Sequence, residues 1–175
     1  MLHIFDFARE MNTLAVAFRL VLAVLCGGLI GIEREYKRRP AGFRTHILIC
    51  LGAAMTTLTS QYMFLTMHLY TDVARLGAQV IAGIGFIGAG TIIVTKRQRV
   101  KGLTTAAGLW TAAIIGLVCG AGYVECAIFA TAMVLVAELL LIKIEYRFAG
   151  KINDVNLYVE YAHAEVIENI LRAIR

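Results

Sequence analysis

With 175 residues, 59% of them hydrophobic, and a mean hydropathy of +0.75, the chain has too little charge (17%) for an ordinary soluble globular domain. The formal net charge of +5 does not make it a nucleic-acid binder, because the basic residues sit in short loops between apolar runs, as membrane topology and anionic headgroups require. Its four cysteines (Cys26, Cys50, Cys119, Cys126) lie in or beside apolar runs without metal-site or disulfide spacing, so they read as packed or lipid-facing thiols.

Residues 1–13 form a short amphipathic lead-in whose Ile4, Phe5 and Phe7 can rest at a membrane interface. The apolar runs that follow predict five transmembrane helices at 14–32, 46–66, 75–94, 104–121 and 123–143, each near the length that crosses about 30 Å of hydrocarbon. The first is expected to be a retained helix, not a cleaved signal. Arg19 lies near one of its ends and is expected to snorkel to the headgroups.

Loop 33–44 carries five basic residues and loop 95–102 carries four, against Arg75 alone between spans two and three. The positive-inside rule then puts the N-terminus outside and the C-terminus in the cytoplasm. Residues 1–145 make the membrane domain. In the tail, 146–175, residues 152–161 read as a strand and 163–175 as a helix, the opening of a small cytoplasmic α/β domain that stops early or needs a partner to complete its sheet.

Small residues recur at helical spacing. Ala23, Gly27 and Gly31 mark the first span; Ala74, Ala78, Ala82, Gly85 and Ala89 mark the third; Gly108, Ala112, Gly116 and Gly120 mark the fourth. Such stripes let backbones approach closely, either within one subunit or between subunits in a homo-oligomer. GIGFIGAG at 83–90, which holds Gly83, Gly85, Gly88 and Gly90, lacks the preceding strand and the Lys-Ser/Thr of a phosphate loop, so helix packing is the simpler reading, with a broken helix or hinge near a binding cavity as the alternative.

Polar residues inside apolar runs each need an explanation. Asp72 and Arg75 are three apart and form a cap, a local ion pair or an entrance carboxylate, with Gln79 one turn further on. Glu125 reads as interfacial, while the deeper Glu138 needs a partner on another helix or Lys143. Arg44, Thr45 and His46 open the second span beside Glu33, Arg34 and Glu35; Thr104 and Thr105 open the fourth, where they can cap it. This group could serve capping or hold an anion or lipid headgroup. No catalytic constellation or cofactor motif emerges. Mg2+ stays open as a ligand, with Asp72, Glu33 and Glu138 as the available carboxylates.

AGFRTHILICLGAAMTTLTSQ (41–61), DVARLGAQVIAGIGFIGAGTII (72–93) and VKGLTTAAGLWTAAIIGLVCGAGY (100–123) together resemble the MgtC/SapB family of bacterial inner-membrane proteins. The resemblance covers residues 14–145, with a fingerprint of Arg44, Thr45, His46, Asp72, Arg75, Gln79, Gly83, Gly85, Gly88, Gly90, Gly102, Thr104, Thr105 and Trp110. It implies a multi-pass protein of low-magnesium adaptation and intramacrophage survival. It also implies a regulatory role that includes inhibition of the proton-translocating ATP synthase, and a tail like the first half of an ACT domain.

Three functions follow for comparison. The first is a non-enzymatic regulatory protein that binds a membrane partner. The second is a transporter or channel for Mg2+ or another small solute. The third is a lipid- or anion-binding structural membrane protein.

Overall fold

The computed structural model describes residues 3–70, 72–94 and 100–141. The chain divides after Leu141 into two units, and the described residues belong to the first. A 3-10 helix (His3–Arg9) leads into α1 (Thr13–Tyr36), α2 (Phe43–Leu65) and α3 (Arg75–Thr91). An antiparallel pair, β1 (Ile93–Val94) and β2 (Val100–Lys101), precedes α4 (Leu103–Gly120) and α5 (Val124–Val136), which runs into a π-helical turn at Ala137–Leu141.

Three helices, not five, are long and apolar enough to cross a membrane among the described residues: α1, α2 and α4. The run at 75–94 stops being helical at Thr91 and enters β1, and α5 keeps α-helical geometry for only 13 residues. As α-helix, both are shorter than the roughly 20 residues that usually cross the hydrocarbon core. The five-helix topology, with N-terminus outside and C-terminus inside, is therefore not supported. The only sheet among the described residues is the two-stranded pair between α3 and α4, so no ACT-like domain belongs to the described fold. The strand and helix expected over 152–175 lie outside the described residues.

Helix α1 begins with Asn12, whose side chain accepts from Ala15 N at 2.8 Å. It continues through Glu33 and Arg34, which were expected in a loop, and ends where Arg38 turns left-handed at φ 51°. Leu14, Val21, Leu25, Leu29 and Ile32 are exposed on one side, whereas Ala15, Leu22, Ala23, Cys26 and Ile30 are buried on the other. Apolar residues on both faces suit a helix between lipid and protein.

The core forms where α2 closes on α1 and α4. A Cβ on Gly27 would lie 2.7 Å from His46 O, and one on Gly31 would lie 2.7 Å from Phe43 Cα. On α4, a Cβ on Gly116 would meet Cys50 O at 2.2 Å and one on Gly120 would meet Ala54 O at 2.4 Å. These neighbours are backbone atoms, so the helices could accept a side chain only by moving apart. Ala112 is buried in the same face of α4. Cys26, Cys50 and Cys119 are free thiols packed into this core. Before α4, Gly102 takes φ 96° with its Cβ direction 2.0 Å from Thr91 O, a turn only glycine makes without strain.

Helix α3 is attached differently. Only Ile84 and Gly88 are buried, and a Cβ on Gly88 would meet Ala106 at an ordinary 3.4 Å. Ala74, Ala78, Ala82, Gly85 and Ala89 are all exposed, and nothing lies within 4 Å of a Cβ on Gly83, Gly85 or Gly90. The face toward α4 is displaced from the alanine-rich stripe by one residue, about 100° round the helix.

Gly116→Ala should therefore lower stability by about 2 kcal/mol or more through overpacking. Gly85→Ala should leave it unchanged or slightly higher, since alanine favours helix. Thermal denaturation of the two variants in one detergent checks the contrast.

Candidate functional site

Buried polar groups gather at the two ends of the bundle. At the first end Arg19 does not snorkel: it is 0% exposed. Its guanidinium donates to Ala8 O, to Gly120 O at 3.0 Å, to Glu10 O at 2.9 Å and to Gln61 Oε1 at 2.7 Å. The residue ties the lead-in to the C-terminal ends of α2 and α4. Gly122, at φ 78°, presses its backbone against it, with its Cβ direction 3.0 Å from Arg19 Cζ. The carbonyls replace the water a charged group would otherwise need. Nearby, Arg9 pairs with Glu125 at 2.7 Å, so this carboxylate is drawn to protein rather than left to interfacial water.

The second end holds the candidate site. Glu33 and Arg34, on the last turn of α1, have side chains 9% and 1% exposed, and Glu138 on the π-helical turn is 8% exposed. Arg34 Nε donates to Glu33 Oε2 at 2.5 Å and lies 3.2 Å from Glu138 Oε2. Lys37 Nζ stands 2.6 Å from Glu33 Oε1 and donates to the Glu138 carbonyl at 3.2 Å. Two carboxylates and two cations thus share one buried cluster with no formal net charge, the condition under which charge is tolerated there.

His46, also 0% exposed, enters from the first turn of α2. Its Nδ1 lies 2.9 Å from Gly42 O, and a carbonyl can only accept, so Nδ1 carries the proton and Nε2 offers a lone pair. Gly108 on α4 faces this group: a Cβ there would be 3.5 Å from Glu138 Oε1 and 3.9 Å from His46 Nε2.

The remaining expected site residues are distributed elsewhere. Arg44 and Thr45 line an open cleft of about 750 Å3 with Ile32, Glu35, Tyr36 and Phe43. The first amide of α2 already donates to Glu35 Oε2, from Phe43 N at 2.8 Å, so a carboxylate stands where an anion would bind. Asp72 accepts from Ala74 N at 2.9 Å before α3 and shares a cleft of about 240 Å3 with Ser60, Met63, Arg75 and Leu76 at the other end of the bundle. Gln79 and Thr104 are exposed, whereas Thr105 is buried. The cap position of α4 is Gly102, which supplies no side-chain hydrogen bond.

Among the described residues, no group of three or more His, Cys, Asp or Glu side chains is placed to hold a metal ion. Glu33 and Glu138 do meet, but Arg34 and Lys37 already supply positive charge there, and Asp72 is remote. The cluster does not fit Mg2+, which needs an oxygen cage and several waters. Sequence reasoning missed Lys37 and treated Glu33, Arg34 and Glu35 as a loop cluster. The available signal was the deep carboxylate of Glu138, which required a cation from another element.

These features define a multi-pass α-helical membrane protein closed by small-residue contacts and buried charge at each end. A model described as the MgtC family matches residues 20–147. The chain is 41% identical over 137 residues to the putative magnesium transporter YhiD of Escherichia coli K12, covering 76% of this chain and 63% of that protein. It is 43% identical over 129 residues to an uncharacterized protein of Haemophilus influenzae (71% and 54% covered). It is 44% identical over 123 residues to protein MgtC of Salmonella typhimurium LT2 (70% and 50% covered). No solved structure matches it. The chain belongs to the MgtC family, whose members are multi-pass proteins of the bacterial inner membrane. It spans between half and 63% of the length of these relatives.

Arg34→Leu should cost about 3–5 kcal/mol by leaving Glu33 and Glu138 without the guanidinium between them. Lys37→Ala should cost less, because Lys37 is partly exposed at 26%. Chemical denaturation in lipid-like detergent distinguishes the two.

Proposed function

We propose that this chain is a non-enzymatic regulatory protein of the inner membrane in Mg2+ homeostasis, acting by contact with another membrane protein through the outer face of α3. The observation that carries this reading is the unequal use of the small-residue stripes. At Gly27, Gly31, Gly116 and Gly120 the stripes of α1 and α4 are met by the backbone of α2, whereas Ala74, Ala78, Ala82, Gly85 and Ala89 stay exposed. Beyond Arg75 this helix has no charged residue, and Gln79 is its one amide side chain. A face of this chemistry suits the close approach of an apolar transmembrane helix rather than a soluble domain. The family resemblance makes the proton-translocating ATP synthase the first partner to test.

The Escherichia coli relative's name suggests magnesium transport instead. Against an autonomous path through the described unit, the interior between Arg19 and Glu33, about 21 Å along α1, is lined by Ala23, Cys26, Ile30, Cys50, Ala54, Ile115 and Cys119. Such a lining gives a hydrated divalent cation no ligands.

The full chain in sealed liposomes holding an Mg2+-sensitive dye should pass no Mg2+ above protein-free vesicles. In vesicles that also contain ATP synthase it should slow ATP-driven proton pumping, and Ala82→Leu or Gly85→Leu should relieve that inhibition. Saturable Mg2+ flux, or pumping that the wild-type protein leaves unchanged, would overturn the proposal.

A further inference from the structure

The second buried end contains polar atoms that the ion pairs do not satisfy. Arg34 Nη2 and His46 Nε2 are buried without a hydrogen-bond partner. Glu33 Oε1 and Glu138 Oε2 also lack hydrogen-bond geometry, although Lys37 and Arg34 stand at ion-pair distance. Buried polar groups without a partner are rare, and each calls for a physical explanation.

The arrangement narrows the choice. His46 Nδ1 is committed to the Gly42 carbonyl, so Nε2 presents a lone pair to the interior. Glu138 Oε1 comes to the same opening, since both atoms lie within 3.9 Å of the point a Gly108 Cβ would occupy. The buried Nε2 lone pair, without a hydrogen-bond partner, and a carboxylate oxygen therefore border one small gap. A metal ion is opposed by Arg34 and Lys37 in the same cluster. A hydrogen ion, alone or relayed by one water, needs no cage of ligands and fits a gap the size of a missing methyl group.

We propose that His46 and Glu138 form a buried proton-binding site, kept open by Gly108. A proton taken from water sits on the Glu138 carboxylate or on His46 Nε2, the two groups that border the Gly108 gap, while Nδ1–H stays on Gly42 O. The groups that face it are Glu33, Arg34 and Lys37 from α1, His46 from α2 and Glu138 from the π-helical turn; α4 contributes Gly108 and no charge. Uptake takes the cluster from formal neutrality to +1 and release returns it, so occupancy alters the charge that holds α1 against the π-helical turn. The site is separate from the α3 face and does not depend on its partner.

The test uses the full chain in lipid bilayers. The ring-nitrogen signals of His46 are followed by solid-state NMR across pH, alongside the protonated-carboxyl band in infrared difference spectra. The two groups should titrate as a coupled pair. Glu138→Gln should abolish that band and move the His46 midpoint toward acid by about one pH unit or more, because the imidazolium loses its carboxylate neighbour. Gly108→Ala retains both groups but fills the gap, so it should also shift the His46 midpoint, whereas Gly85→Ala on the open face should not. A His46 midpoint that is the same in wild type, Glu138→Gln and Gly108→Ala would overturn the site. So would a carboxyl band that survives Glu138→Gln. Should Glu138→Gln fail to fold, the Gly108→Ala comparison decides alone.

Discussion

The described fold depends on one close approach, the backbone of α2 at Cys50 and Ala54 lying against Gly116 and Gly120 of α4. The matching approach on α1 puts the His46 carbonyl against Gly27. In lipid there is little hydrophobic gain in bringing helices together, so the number of atoms in van der Waals contact matters more than it would in water. Glycine supplies that contact by subtraction. The buried charges follow from the same geometry: once three backbones are this near, Arg19 can reach the carbonyls of Ala8 and Gly120, and Arg34 can reach Glu138.

Of this, the close-approach positions of α1 and α4 were legible in the sequence as glycines at four-residue spacing, whereas the buried roles of Arg19 and Arg34 were not, and the same spacing in α3 marks an exposed face. Family membership was legible for a different reason, through a run of linked motifs. The span count was not legible. An apolar run reports where lipid or a core could be, not whether the backbone stays helical, and Ile92–Val94 leave α3 for a strand despite being as apolar as the helix they follow. The end of α1 was also hidden. Charges mark a boundary in sequence, and only the cross-bundle pairing with Glu138 shows why Glu33 and Arg34 remain inside the helix.

The candidate site divides along the same line. Arg44, Thr45 and His46 are neighbours in sequence, yet helical rotation sends His46 into the bundle while Arg44 and Thr45 line an outer cleft. In α3 the sequence presents small residues on two adjacent faces, Gly77 and Gly88 on one and Ala78, Ala82 and Gly85 on the other, and spacing cannot choose between them. Contact with Leu117 and Ala106 of α4 does. The face left over is the one proposed above to meet a partner helix, and among the described residues the centre between Arg19 and Glu33 is lined by apolar and cysteine side chains.

The most direct measurement of that account is photocrosslinking in native membranes that contain ATP synthase, with the photoreactive residue placed at Ala82 or Gly85 of α3 and, as a comparison, at the exposed Leu25 of α1. The account predicts adducts to a membrane subunit of the ATP synthase from the two α3 positions and none from Leu25. Adducts only to lipid or to a second copy of this chain, or equal yields from all three positions, would contradict it.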